Sequence, residues 1–425
     1  MFETAIDFLR QINLESAIYV FWYFFIFDLP RYTFGILSLA LTDIVKLWRF
    51  LGPPGACPEF PVDTPISLLL VGHNEGAKLA HCIASVREQT MTDIEIVVVD
   101  DGSTDNMRRE GHRLLREGLI HQFLSTGLRG GKASALNLGF GHCTRPFVIS
   151  ADIDTTFDRD AFHRVIQPLT DPRVGAVAGN LGVRNAWTSV LAGFQALQYF
   201  FSISLGRQFT SSIETLGIVS GAFGAFRRQA VQQVGAWDVG PGDDSNLTMK
   251  LRVAGWKIRF AQDAWAMTDV PTKFKKFFNQ RMRWNRSIIR NRMRKFRSAL
   301  NPFSSSFSIL NVLSIVNVLF FQVFLSWSFV VYQVWVFYTF GENALLIIFS
   351  SNMIYLIEDI FTFMYLSVKF PQSRKFIIYV PTFFLFKDYI LRLLRAMAYA
   401  DELIFRRSYQ DEFYPGKVRR QVFKF

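Results

Sequence analysis

Val97-Val98-Val99-Asp100-Asp101-Gly102-Ser103 is the stretch on which the fold turns. The run Ile94 to Val99 is apolar, rich in β-branched residues and too short for a stable helix, so it predicts a strand buried on both faces. Such strands belong to parallel sheets covered by helices. The run stops on two acids and a glycine, and ligands of open α/β sheets bind beyond the carboxyl ends of the strands. Asp100 and Asp101 therefore stand where they can accept hydrogen bonds from a nucleotide's base or ribose; the plainer alternative is that Asp-Gly only makes a turn.

The same pattern repeats on either side. Ile66 to Val71 and Phe147 to Ser150 are further strands. From about Pro61 to about Val270, short apolar runs alternate with amphipathic stretches, which predicts an α/β domain over 59–272 with a Rossmann-like, mostly parallel sheet. Val71-Gly72-His73-Asn74-Glu75-Gly76 ends the first strand and can bring Glu75 to the same nucleotide, with His73 read as a polar residue flanking the next helix. Gly130-Gly131-Lys132 opens a helix over Ala133 to Phe140, where a lysine suits phosphate or is simply solvated. Ser150-Ala151-Asp152-Ile153-Asp154-Thr155 follows a strand directly, and carboxylates spaced like Asp152 and Asp154 can share Mg²⁺ or Mn²⁺ while leaving positions open for diphosphate oxygens. In Gly242-Asp243-Asp244-Ser245-Asn246-Leu247-Thr248, ahead of a helical pattern through Val253, an acid either caps the helix or serves as a general base; Asp244 is the candidate base. Gln280-Arg281-Met282-Arg283-Trp284 offers an arginine for diphosphate and a tryptophan face for a sugar ring, or else anchors the chain at lipid headgroups.

Outside this domain the solvent changes. Half of the 425 residues are hydrophobic, 45 are Phe and only 19% are charged, which points to a bilayer. Residues 1–51 hold apolar runs from Ala17 to Phe27 and Tyr32 to Val45, parted by Asp28-Leu29-Pro30-Arg31, so one Pro-kinked helix competes with a two-helix hairpin. No basic n-region or small-residue cleavage site marks a signal peptide, and Lys46 and Arg49 predict emergence on the cytoplasmic side. Gly52-Pro53-Pro54-Gly55 reads as a linker. The basic, aromatic segment 273–302 suits the membrane interface, and 303–400 holds apolar segments at about 307–340 and 344–368 that are long enough to span. The charges within Phe376 to Tyr399 suit a re-entrant or interfacial piece, and 401–425 is a basic cytosolic tail. Glu358 and Asp359 are costly against lipid, so they face water, polymer or protein, or close on a Lys or Arg from a neighbouring helix. The net charge of +12 sits beside apolar segments, which favours lipid headgroups over nucleic acid. Cys57, Cys82 and Cys143 lack metal spacing and read as inert residues of a reducing compartment.

Taken in order, the clusters resemble the D, D, D, Q(Q/R)xRW signature of processive family 2 glycosyltransferases, the hyaluronan, chitin, poly-N-acetylglucosamine and cellulose synthases. The resemblance includes Val99-Asp100-Asp101-Gly102-Ser103, Asp152-x-Asp154, Gly242-Asp243-Asp244, Thr268-Asp269-Val270-Pro271 and Gln280-Arg281-Met282-Arg283-Trp284-Asn285. It implies a GT-A domain inserted between transmembrane helices of a multi-pass inner-membrane protein with its catalytic domain in the cytoplasm. It also implies an inverting enzyme that builds a β-linked polysaccharide from a UDP-sugar and moves it across the membrane. By that pattern Asp100 and Asp101 would contact uridine, Asp152 and Asp154 the diphosphate and metal, and Asp244 would be the base. Gln280, Arg283 and Trp284 would hold diphosphate and acceptor, and the stretch Ser220 to Arg228 resembles a loop lining the acceptor site. His73 departs from the aromatic residue that many members place before Asn-Glu. No cytosolic regulatory module is evident, so control or secretion would fall to a partner subunit. A transferase that adds one sugar to a membrane lipid, like ceramide glucosyltransferases, carries similar acids, and a nucleotide-binding transporter or scaffold is the rival of another class.

Overall fold

The computed structural model describes residues 12–50 and 59–411, together with 7, 10, 415–417 and 419, with backbone alone for 32 and 46–50. The Gly52 to Gly55 linker, Cys57 and the end of the basic tail lie outside the described residues, as do the side chains of Lys46 and Arg49.

Eight strands form one sheet: β1 Ile66–Gly72, β2 Ile94–Asp100, β3 Gln122–Ser125, β4 Phe147–Asp152, β5 Thr156–Phe157, β6 Val174–Val183, β7 Phe223–Arg227 and β8 Lys257–Thr268. Their order is β3-β2-β1-β4-β7-β6-β8-β5. The sheet is mixed rather than mostly parallel. Strands β3, β2, β1 and β4 run parallel, as do β6 and β8, but β7 is antiparallel to both β4 and β6, and β5 is antiparallel to β8. The cause lies between β6 and β7. A helical excursion over residues 190–212 leaves the carboxyl edge and returns to it, so β7 enters from that edge without a crossover. Ser220 and Gly221, just before β7, are thereby delivered to the edge where the acids stand.

The central strands are buried along their length because helices cover both faces. Leu68, Leu70, Ile96 and Val98 pack with Leu79 and Ile83 of helix α1 (Gly76–Arg87). On the other face Leu69, Val97 and Val99 pack with Ala135, Leu136 and Phe140 of α2 (Lys132–His142). Gly139 of α2 lets the helix lie this close, since a Cβ there would stand 2.3 Å from Leu69 Cδ1 and 2.6 Å from Val99 Cγ2. Gly139→Ala is therefore expected to lower unfolding stability by about 1–3 kcal/mol, despite alanine's better helix propensity, in a denaturant titration. Cys82 and Cys143 are free and buried, and burial pushes the Cys143 thiol up to about 12, in keeping with inert thiols.

Helices before and after the sheet domain pack on one another. The Asp28 to Arg31 break does not make a hairpin: a π-turn over Phe24–Asp28 runs straight into the helix Leu29–Phe50, and the extra residue of that turn absorbs Pro30. Between β7 and β8 lies α3 (Asp243–Val253, carrying the third acid cluster), and after β8 come α4 (Phe274–Ile289), α5 (Ile309–Val318), α6 (Ala344–Lys369) and α7 (Arg392–Phe405). Two helical stretches, Phe24–Val45 and Ile309–Lys369, are long and apolar enough to cross a membrane by length and composition, the second turning at Gly341. Lys387 closes on Glu358 Oε2 at 2.7 Å and Asp359 Oδ1 at 2.5 Å, so the acids of α6 are paired across helices. Arg392 lies 2.8 Å from both Asp28 Oδ2 and Asp388 Oδ1, and Tyr355 Oη donates to Asp28 Oδ2 at 2.7 Å. Lys387, Asp388 and Arg392, within 376–399, thus face inward on a continuous helical stretch.

Candidate active site

Asp100 ends β2 and Asp101 follows it; both are buried, but each already has protein partners. Asp100 Oδ1 accepts from Ser103 N at 2.9 Å and Oδ2 from Ser125 Oγ at 2.8 Å, which fixes the turn after the strand. Asp101 accepts from Gly130 N at 2.6 Å and Gly131 N at 2.9 Å, tying the strand end to the turn that opens α2. His73 Nδ1 lies 2.9 Å from Asp101 O, a local polar contact of the kind expected of it.

That turn sets Lys132, whose ammonium donates to Asp152 Oδ1 at 2.6 Å. Burial opposes the charge on Lys132, yet Asp152, Asp244 and Asp243 outweigh it and hold the group well above its ordinary pKa. Asp154 lies 3.8 Å from Lys78; Lys78 also lies 3.4 Å from Asp269 Oδ2, and Arg184 bonds both Asp269 Oδ1, at 3.1 Å, and the carbonyl of Asp154. A cavity of about 410 Å³ adjoins these groups. Burial, then Asp154 and Asp152, push Glu75 up to about 8, and burial and Asp152 raise Asp154. Lys78, Arg184 and Asp269 were not singled out as site residues, because they join only in space; the signal available was Asp269 within Thr268-Asp269-Val270-Pro271.

Glu75, Asp152 and Asp154 thus crowd negative charge at one strand end, which a divalent cation relieves. Among the described residues no three His, Cys, Asp or Glu side chains are grouped so as to hold a metal ion by themselves. Two carboxylates with open positions are the donor set expected where Mg²⁺ or Mn²⁺ binds chiefly through substrate phosphates, so the residues fit the ion.

Asp244 does not cap its own helix. Gly242 is the N-cap of α3, no side-chain cap bond is made there, and Asp244 Oδ2 accepts from Gly221 N at 2.8 Å instead. A Cβ on Gly221 would lie 2.5 Å from Asp244 Oδ1 and 2.6 Å from Lys132 Nζ, so the loop before β7, the lysine and the acid meet at one point. Burial first, then Asp243, raise the Asp244 carboxyl to about 7, against the opposing pull of Lys132 and the Gly221 N–H. Asp243 is raised by burial too, and its Oδ2 is buried without a hydrogen-bond partner.

Gly242 has φ +75°, and a Cβ there would meet Ser287 Cβ at 2.7 Å and Asn291 Nδ2 at 2.8 Å. Asn291 Nδ2 donates to Gly242 O at 3.1 Å. The helix α4 that carries Gln280, Arg283 and Trp284 therefore rests its end on the turn that presents Asp244. Gln280 Oε1 is buried without a partner, Arg283 is half-buried, and Trp284 is 39% exposed. Arg281, for which the sequence suggests no separate role, sits over the Trp284 ring at 4.8 Å and donates to Gln198 Oε1 at 3.0 Å, which fixes the indole. One series of contacts, Asp101 with Gly131, Lys132 with Asp152, Gly221 with Asp244 and Gly242 with Asn291, thus joins all four clusters.

Residues 67–235 match Glycosyl transferase family 2. The chain is 29% identical over 266 residues to the poly-beta-1,6-N-acetyl-D-glucosamine synthase of Staphylococcus aureus strain COL, covering 62% of this chain and 64% of that protein. The Staphylococcus epidermidis synthase of the same name is 29% identical over 247 residues, 58% of this chain and 60% of that one. The aligned part is therefore less than two thirds of either relative. In fold, the mannosyltransferase PcManGT from Pyrobaculum calidifontis, solved with GDP-Man and Mn²⁺, superposes with TM-score 0.58 at 18% identity over 88% of this chain and 97% of that one. Residues 67–235 are thus similar to family 2 glycosyl transferases, and the mixed sheet resembles the fold of that mannosyltransferase.

Proposed function

We propose that this chain is a membrane-integrated, inverting glycosyltransferase that polymerises a β-linked polysaccharide from a UDP-sugar at the cytosolic face and moves it across the membrane. The observation that carries the reading is the meeting of Lys132, Asp152, Gly221 and Asp244 at one point, beneath a helix that presents Trp284. Asp244 takes the proton from the acceptor hydroxyl, and Gly221 N–H holds its other face. Asp101 orders the turn that aims Lys132 at the diphosphate, with Asp100 and Glu75 beside the nucleotide. Asp152 and Asp154 would hold Mg²⁺ or Mn²⁺, which when bound neutralises charge on the departing diphosphate. Gln280, Arg283 and Trp284 receive acceptor and diphosphate, the indole offering a flat face to a sugar ring.

Membrane integration is supported by the outward faces of the flanking helices, where Phe34, Leu37, Leu41, Val331, Phe361 and Val368 are exposed while Asp28, Asp359, Asp388 and Arg392 are buried. The two staphylococcal relatives make UDP-N-acetylglucosamine the first donor to try. Purified protein given radiolabelled UDP-N-acetylglucosamine, within a panel of UDP-sugars, is expected to yield product that lengthens with time and stays behind on lipid extraction. A product of constant size that partitions with lipid would instead make the chain a lipid glycosyltransferase. Absence of transfer from every donor would leave a nucleotide-binding module.

A further inference from the structure

Two buried arginines stand outside the site just described. Arg252, on the last turn of α3, is 7% exposed, and Arg292, just beyond α4, is 1% exposed. Every hydrogen bond described for them goes to a main-chain carbonyl. Arg252 donates to Glu214 O at 2.8 Å and Leu310 O at 2.9 Å, and Arg292 donates to Gly217 O at 2.6 Å. Burial first, and the neighbouring Arg252 charge with it, pull Arg292 down to about 9. Two like charges buried together cost stability, so what they hold is the place to look for their use.

They hold one loop. Ser314 of α5 donates to Thr215 O at 2.9 Å, and a Cβ on Gly217 would lie 2.5 Å from Arg292 Nη2 and 3.3 Å from Ser314 Oγ, so the loop is seated from several sides. The same loop then docks on the helix that bears the base. Val219 N donates to Thr248 Oγ1 at 2.9 Å, Thr248 Oγ1 donates to Asp244 O at 2.7 Å, and Gly221 N donates to Asp244 Oδ2. A carbonyl clamp at 214–217 thus lies just upstream of the backbone donor to the Asp244 carboxylate.

We infer that Arg292 and Arg252 are positioning residues for sugar transfer, fixing the 214–221 loop so that Gly221 N–H meets Asp244, and linking that loop to the apolar helix α5. The inference rests on Asp244 being the base. The groups that face Asp244 are Asp243 on its own helix, Lys132 from α2, Asp152 from β4 and Arg207 from the 206–212 helix. None of the hydrogen bonds and ion pairs described for these groups reaches the clamp, so a change there acts on the base through the loop.

The test compares wild type with Arg292→Gln, Arg292→Lys and Ser314→Ala, using UDP-N-acetylglucosamine turnover across pH. Arg292→Gln is expected to lower kcat at pH 7 by about tenfold or more, with donor KM within about twofold, because misplacement of a catalytic group costs rate before binding. Loss of the Gly221 hydrogen bond also moves the acid limb of the kcat profile to higher pH. Lysine, which keeps one donor for Gly217 O, restores part of both changes, and Ser314→Ala gives the same pattern more weakly while leaving the arginines in place. An active wild type with an unaltered Arg292→Gln profile would overturn the positioning role alone. So would a variant that loses only melting temperature and donor affinity, with the acid limb unmoved. A wild type without transfer would overturn the transferase reading itself, and this role with it.

Discussion

Asp244→Asn is expected to lower kcat by about 10²–10⁴-fold, the usual contribution of a positioned general base, while donor binding measured by calorimetry stays near that of wild type. The amide nearly matches the carboxylate in shape and can still accept from Gly221 N, so the loop before β7 has no reason to move. What is lost is the negative charge and basicity with which the carboxylate would take the acceptor's proton. The same group sets a pH dependence. Burial and Asp243 raise Asp244 to about 7, so wild-type kcat falls as pH drops through that region and the base takes up a proton. The sign for stability is opposite. A carboxyl whose folded-state pKa lies above its unfolded value favours the fold most at low pH, and that contribution is lost as pH rises toward 7. Asp244→Asn is therefore expected to raise the melting temperature above pH 7 and to change it little near the ordinary carboxyl range, about pH 4. A variant that keeps full turnover would end the assignment of Asp244 as the base, and one that loses donor affinity in parallel with kcat would move it to the binding machinery.

Much of this site was legible because its acids end strands. Continuous apolar runs such as Val97 to Val99 have one physical use in a small α/β domain, and the residue at which such a run stops is fixed at the carboxyl edge. In the structure β2 and β4 extend to include Asp100 and Asp152 themselves. Direction was not legible. Phe223-Gly224-Ala225-Phe226 has the composition of any buried strand, and its antiparallel run follows from where the preceding helices return the chain, which periodicity does not encode. Partners were not legible either. Lys78 and Asp269 meet from opposite ends of the domain, and nothing at Lys387 marks it as the cation for Glu358 and Asp359. What sequence does carry is the cost: an acid within an apolar run needs a partner, whichever residue supplies it.

That cost is largest at Arg392, and Arg392→Met is expected to destabilise the protein by about 3–5 kcal/mol, as removal of one partner from a buried ion pair does. The guanidinium sits within 2.8 Å of Asp28 Oδ2 and Asp388 Oδ1, donates to Tyr23 Oη at 3.1 Å, and lies 4.8 Å from the Phe329 ring. Asp28 and Asp388 are fully buried, so water cannot replace what the arginine gives them. Methionine fills much of the volume, and the loss is then electrostatic rather than a cavity. Adding Asp28→Asn to Arg392→Met is expected to recover part of the stability, since it removes the buried Asp28 charge while Asp388 still has Lys387 at 3.7 Å, whereas Asp28→Asn alone should cost less than Arg392→Met. Unfolding in detergent micelles, followed by denaturant or heat, measures all three. Because Arg392 comes from the far end of the chain and Asp28 from the near end, the pair ties the first apolar helix to the last, and micelle-purified Arg392→Met should also be cleaved faster by protease within 380–405. Equal stability of wild type and Arg392→Met would mean that the buried carboxylates carry no charge for the arginine to balance.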